Sequence, residues 1–407
     1  MVSNQLQAGF FVEKEKYMYM LKFSKMSNTI LMMAVTFFAN LYFYNHIGTL
    51  YLQSRGLTLG QIGSLGSILV ISSFLAEVPT GILADKIGRK WSVVMALFIQ
   101  TAGEYLYLFT NNYLGFVLIS ILAGMGFAFA SGAGEALLYD SLPKDNRDSQ
   151  MKNATRMNAG VYLICSLIAP LVGGMVVSTL TTSKFKLAIL FTAISVTLAF
   201  LLSLMLKEPN KEFDSTAIFP KNLFVNGKLY WIVAVSILTN SFTGILLSLY
   251  QPYFVQFVVN PMWIGWSLSL ACLFAFLFLH ILPWLESWFG EGKIFYLTCI
   301  LPAIGYLILA LLNNRIGIII TFILTYAMTF TRGSFISAFL NKHLEENSRA
   351  TALSVIAMFD KLYIGTMSLV FGVLAQYSIK ITFLIIGLII IIFSIILRTD
   401  KYAHSNI

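Results

Sequence analysis

The chain has 407 residues, 58% hydrophobic and 11% charged, whereas a soluble domain carries roughly 25% charged residues. This excludes a soluble enzyme held by one anchor and leaves an integral membrane protein. The net charge of +9 is spread between apolar runs and is no nucleic-acid footprint. Cys165, Cys272 and Cys299 lie inside such runs and offer neither a disulfide framework nor a metal spacing.

Residues 1–27 contain Glu13, Lys14, Glu15 and Lys16 and lack a signal-peptide layout. They read as a cytoplasmic, partly amphipathic lead-in. Twelve apolar runs of about 20 residues follow, each long enough to cross a bilayer. The first six lie at 28–53, 61–84, 91–110, 113–139, 154–180 and 187–206. A polar linker at 207–228 separates them from six more, at 229–257, 263–283, 294–312, 316–340, 353–376 and 381–397, before a tail at 398–407. The expected domains are therefore a six-helix bundle over 28–206 and another over 229–397. No interval is long enough for a soluble enzymatic domain, and no P-loop, nucleophile–base pair or metal constellation is visible.

Lys and Arg give the orientation. Of 27, five fall on one side (Arg55, Lys184, Lys186, Arg315 and Lys380), three fall within helices, and 19 collect with both termini and the linker. That bias places both termini in the cytoplasm. The two halves also repeat. Tyr51, Ile62, Gly63, Gly88, Leu142 and Arg147 recur as Tyr253, Ile264, Gly265, Gly290, Leu344 and Arg349, all at an offset of 202. One offset held across three loops predicts two six-helix bundles related by a twofold axis along the membrane normal.

The most specific stretch is the turn between helices 2 and 3, Gly81-Ile82-Leu83-Ala84-Asp85-Lys86-Ile87-Gly88-Arg89-Lys90. Gly81 permits close approach of a neighbouring helix, and Gly88 permits a positive φ. Asp85 falls where a carboxylate can meet free backbone N–H groups, and Arg89 and Lys90 suit a cytoplasmic face. The stretch resembles the loop signature of the major facilitator superfamily, G-x-L-A-D-x-x-G-R-K, in the same helix interval. The resemblance implies an all-α membrane protein with twelve transmembrane helices, whose helices 1, 4, 7 and 10 line a central cavity. It also implies that the acid ending helix 4, here Asp140, meets the loop arginine, here Arg89. That pair, with Asp85 capping or contacting helix 11, is expected to hold the cytoplasmic side shut and to be present in that state alone. Helix 5 carries Ala169-Pro170-Leu171-Val172-Gly173-Gly174, similar to the end of the exporter signature G-P-x-x-G-G. The earlier glycines of that signature are absent, and Ser120 stands where many proton antiporters of the family carry an arginine.

Ionisable groups inside helices are costly and mark function or pairing. They are Glu77, Glu104, Glu135, Arg156, Arg332, Asp360 and Lys361, and all but Glu104 fall in the cytoplasmic half by rise along their helices. Glu135, Asp360 and Glu77 are the candidate proton carriers. Each has a structural alternative: Glu135 as the partner of Arg156, Asp360 as the partner of Arg332, and Glu77 as an acid bonded to a neighbouring helix. Lys361 is read as snorkelling, and Glu104, alone on a supporting helix, as a structural hydrogen-bonding group. Asn40, His46, Asn240, Tyr250, Gln251 and Arg332 are candidate cavity residues, and Pro252 should bend or break helix 7 near its outer end.

The reading is a secondary active transporter of the cell membrane and not an enzyme. It is expected to act as a monomer in the lipid bilayer without cofactor, metal or nucleic acid. Its expected job is proton-coupled export of a small amphipathic or hydrophobic compound by alternating access, as in the exporter-like branch of the family. The alternatives are proton symport of a polar nutrient and, in a different class, a non-transporting receptor or lipid scramblase on the same fold.

Overall fold

The computed structural model describes residues 27–142, 147–208, 234–240, 242–343 and 349–397. The lead-in before residue 27, most of the linker and the tail lie outside them. The described residues are helical, and ten of their helices are long and apolar enough to cross a membrane. In chain order the segments are α1, in two pieces (Asn28–Ala39 and Gly48–Ser54); α2, Leu59–Ile87; α3, Arg89–Phe109; and α4, Tyr113–Ala130 with Ala133–Ser141. Then come α5, Arg147–Val176, and α6, Thr182–Ser203. The second half holds α7, in two pieces (234–238 and Thr243–Gln256); α8, Pro261–Phe289; α9, Glu291–Leu311; α10, Arg315–His343; α11, Arg349–Tyr377; and α12, Ile379–Ile396.

Packing follows the repeat. α2 packs on α4 as α8 does on α10, and α3 on α6 as α9 does on α12; between the halves, α2 meets α11 and α5 meets α8. Advancing every label by six exchanges these pairs, which is the signature of two bundles related by a pseudo-twofold axis.

Helices 1 and 7 are not the continuous spans expected from their apolar runs. α1 unwinds over 40–47. Backbone freed inside a membrane must find partners within the protein, and side chains of three other helices supply them. The Phe43 N–H donates to Thr192 Oγ1 at 3.0 Å, Ser195 Oγ donates to Phe38 O at 2.8 Å and Cys165 Sγ to Phe37 O at 3.3 Å. Gln251 Nε2 donates to Asn45 O at 3.2 Å, while its Oε1 accepts from the Thr49 N–H at 2.9 Å. Thr49 and Gln251 are 202 residues apart, so they are repeat-equivalent positions meeting on the axis.

In α7 the interruption comes before Thr243, not at Pro252, which sits inside a regular helical piece. The cause is Asn240: its Oδ1 accepts the Phe242 N–H at 2.8 Å, an asparagine offering the backbone an alternative to the helix ladder. Phe242 itself takes a φ of 50°. α4 breaks at Ser131–Gly132, where Gly132 has a φ of 70°.

The two ends of the bundle differ. At the end away from the α2–α3 turn, one hydrophobic core runs through both halves, joining Tyr51, Phe116 and Phe185 to Tyr250, Tyr253 and Phe383. At the end bearing the turn the halves keep separate cores. One is built on Leu31, Val93 and Leu137, and the other on Val235, Phe295 and Phe339. This is a molecule closed at the far end with its halves parted toward the α2–α3 turn.

Candidate transport site and gates

A cavity of about 750 Å³ lies against α1, α2, α3, α4 and α7, within the size range of small-molecule sites. Asn40 and Gln251 line it, as the sequence suggested. His46, Asn240, Tyr250 and Arg332 do not. His46 is fully buried against Gly173, and neither ring nitrogen has a hydrogen-bond partner among the described residues. Tyr250 stacks on Phe322 with ring centroids 4.0 Å apart, and its hydroxyl donates to Ile264 O at 3.0 Å. It is a packing residue.

The cavity's charged group is one that sequence reasoning assigned to structure. Glu104 on α3 is 7% exposed and is the one charged side chain among the described lining residues. Its Oε1 accepts from Tyr44 at 3.1 Å, the Tyr42 hydroxyl stands beside the carboxylate, and Oε2 has no partner within hydrogen-bonding geometry among the described residues. Gln100, one turn earlier, donates to the Tyr42 hydroxyl at 2.5 Å. Tyr107 stacks against Tyr44 at 5.6 Å. The signal was present in the sequence: Gln100, Glu104 and Tyr107 follow the i, i+4, i+7 spacing of one helix face, and they meet the tyrosines that the α1 break turns inward.

A second polar cluster surrounds the α7 break. Asn240 Nδ2 donates to Asp360 Oδ1 at 3.0 Å. Arg332 donates to Thr239 Oγ1 and, at 3.4 Å, to Ser236 O. Both Arg332 and Asp360 therefore reach the unwound segment between them, and no direct ion pair joins the two among the described residues. The expected pairing of α10 with α11 is replaced by a shared grip on α7.

Glu77 bridges the halves. Its Oε2 accepts from Lys361 Nζ on α11 at 2.8 Å, and its Oε1 from Ser131 at the α4 break at 3.4 Å. Lys361 thus holds an acid rather than snorkelling. Glu135 and Arg156 are both exposed, and no hydrogen bond or ion pair joins them among the described residues.

At the α2–α3 turn, Gly88 has a φ of 102°. Glu208, just past α6, accepts from the Arg89 and Lys90 N–H groups, both at 2.8 Å. A carboxylate thus satisfies free donors at the start of α3. A Cβ at Gly88 would press on that carboxylate. Arg89 pairs with Asp140 at the end of α4 and donates to Ala136 O at 2.9 Å. Gly81 is exposed, and a Cβ there would meet nothing within 4 Å. The close approach expected at Gly81 is not made with the halves parted.

Close approach occurs instead at the far end. Gly63 faces Gly372, and Gly265, the repeat-equivalent of Gly63, faces Gly174 and Pro170 of the helix 5 motif. Gly173 of the same motif lies under Phe43 and His46 in the α1 break. Its small residues thereby let α5 touch α8 and the unwound part of α1 together.

The family model described as Major Facilitator Superfamily matches residues 29–362. An uncharacterised MFS-type transporter of Bacillus subtilis, YxaM, is 22% identical over 370 residues, covering 85% of this chain and 90% of its own. The quinolone resistance protein NorA of Staphylococcus aureus is 25% identical over 216 residues, covering 51% of this chain and 53% of its own. Among solved structures, a mutant of the nucleoside transporter NupG superposes with a TM-score of 0.77 at 15% identity, covering 92% of this chain and all of that one. A D-xylose-proton symporter gives 0.72 at 16%, covering 91% and 97%. The match over most of its length, on this helical architecture, makes the chain a member of the major facilitator superfamily.

Proposed function

We propose that the protein is a secondary active transporter that exports a small amphipathic compound from the cytoplasm in exchange for protons. The observation that carries this reading is the cavity, large and mostly apolar with few polar anchors, next to halves parted at the end of the α2–α3 turn. With the termini in the cytoplasm, as the basic-residue bias indicates, that end receives substrate from inside the cell. The quinolone resistance protein among its relatives and the Pro170, Gly173 and Gly174 motif support outward movement.

Coupling rests on Glu135, Asp360 or Glu77. Glu135 is exposed toward solvent or lipid without a bond among the described residues, Asp360 is held by Asn240, and Glu77 is held by Lys361. Gly81, Asp85 and Gly88 form the proposed cytoplasmic gate, with Asp85 meeting α11 when that end closes, and the Arg89–Asp140 pair fastens α3 to α4 beside it. The second reading is proton symport of a polar nutrient, favoured by the amides of Asn40, Asn45, Gln100 and Gln251 along the cavity.

Flux into inside-out proteoliposomes, scored against a compound panel, separates the two. Uptake driven by an acid interior supports export, whereas driven uptake only in right-side-out vesicles supports the symporter. Loss of proton drive in one of Glu135→Gln, Asp360→Asn and Glu77→Gln locates the carrier. Wild-type behaviour in all three removes these acids from coupling.

A further inference from the structure

A buried carboxylate is costly in an apolar span unless a proton or a positive charge neutralises it. Among the described residues Glu104 has no such counter-charge. The described residues along the cavity include no Lys, Arg or His. One carboxylate oxygen is held by Tyr44, and the other is buried near the Tyr42 hydroxyl with no partner within hydrogen-bonding geometry among the described residues. Around it stand three tyrosines, Tyr42, Tyr44 and Tyr107, with Tyr42 edge-on to Tyr44 at 5.9 Å and Tyr44 stacked on Tyr107. Aromatic faces attract a diffuse cation, and more strongly where water is excluded.

The remaining wall is apolar, including Leu65, Leu69, Leu97 and Phe127. An inorganic divalent ion wants six or more oxygen ligands, and no group of three His, Cys, Asp or Glu side chains suited to a metal exists among the described residues. An anion would meet a carboxylate and nothing basic.

We propose that the cavity binds a singly charged amphipathic organic cation. Its onium group lies against Glu104 and the rings of Tyr42, Tyr44 and Tyr107, and its apolar body lies on the leucines and Phe127. This rests on the transport reading and specifies its substrate class.

The test is equilibrium binding to the purified full-length chain in lipid nanodiscs, comparing benzyltrimethylammonium with neopentylbenzene, the neutral isostere in which carbon replaces nitrogen. The cation should bind at least about tenfold more tightly, the scale expected of desolvated cation–aromatic contact beside a carboxylate. Glu104→Gln should abolish that preference while keeping the neutral compound bound, and Tyr107→Leu should reduce it about threefold, a fraction of the same interaction. Equal affinities in the unmodified protein overturn the proposal, as does tighter binding of the carboxylate 3-phenylpropionate. Binding of neither isostere overturns it too. The isostere ratio in the unmodified protein decides even if Glu104→Gln fails to fold. Proton-driven flux of a neutral compound would leave the transport reading standing in each of these failures.

Discussion

The two ends of the bundle are held together by different physics. At the far end the halves meet backbone to backbone: a Cβ on Gly63 would lie 2.7 Å from Gly372 Cα, and one on Gly265 would lie 2.9 Å from Gly174 Cα. One continuous core surrounds those contacts. At the end of the α2–α3 turn the described link across the seam is the Glu77–Lys361 ion pair, with side chains 35% and 27% exposed. Close packing acts over tenths of an ångström and tolerates no added volume. A half-exposed ion pair tolerates movement and contributes little. A link of the second kind lets an end part while the protein stays folded, and at that end the described residues of the two halves keep separate cores.

The largest effect should come from adding volume at the far end. Gly265→Leu places a side chain where α5 backbone already sits. Overpacking costs about 1–3 kcal/mol, and here the cost falls mainly on the state with the far end closed. The equilibrium between the two states should shift toward opening by about five- to 150-fold. Spin labels on the far-end loops of the two halves would report a longer distance. Unchanged distances with full transport would show that the glycine contact is incidental.

Gln251→Leu should come next. Gln251 accepts from the Thr49 N–H and donates to Asn45 O, so the leucine leaves two backbone groups of unwound α1 without partners. An unsatisfied buried group costs about 1–3 kcal/mol, part of it recovered as α1 readjusts. The same labels should register a shift in the same direction but smaller than for Gly265→Leu.

How much of this was legible depends on which forces the sequence records directly. The helical architecture was, because membrane spans are written as long apolar runs and the repeat as a fixed offset. The Arg89 and Asp140 positions were legible because a short loop fixes its own geometry. The breaks in α1 and α7 were not. Unwinding is allowed by side chains far away in sequence, such as Thr192, Ser195 and Gln251, which become partners only after folding. Pro252 looked like the breaker of helix 7, yet Asn240 is, because its amide captures a backbone N–H. Glu104 was discounted for the same reason: a lone acid on a supporting helix gains meaning only once the α1 break turns Tyr42 and Tyr44 toward it.

A smaller effect is expected at the seam of α2 and α11. Glu77→Gln removes the ion pair with Lys361 but keeps the shape. Exposed pairs contribute about 0.2–1 kcal/mol, so the populations of the two states should change by less than about fivefold. The expected direction is toward further parting at the α2–α3 end. Lys361→Met should do the same, and the double variant should add little to either. Purely additive effects would mean that the pair does not couple the halves.

The smallest effect on the equilibrium is expected from the ion pair that the sequence made most conspicuous. The turn signature suggested that Arg89 and Asp140 join only when the α2–α3 end is shut. Here they are joined with that end parted, and the reason is topological. Arg89 opens α3 and Asp140 closes α4, both in the first half, so they move as one body. An interaction present equally in two states shifts nothing between them, however strong it is. With side chains 39% and 31% exposed, the pair is worth about 0–1 kcal/mol, and that stabilises the first half in both states alike. Arg89→Ala and Asp140→Ala should therefore lower the midpoint of thermal unfolding slightly while leaving label distances across the seam unchanged, with sub-additive stability losses in the double variant. A seam distance that moved more in Arg89→Ala than in Glu77→Gln would reverse this ranking. It would mean that Arg89 exchanges Asp140 for a partner in the second half as the transporter closes.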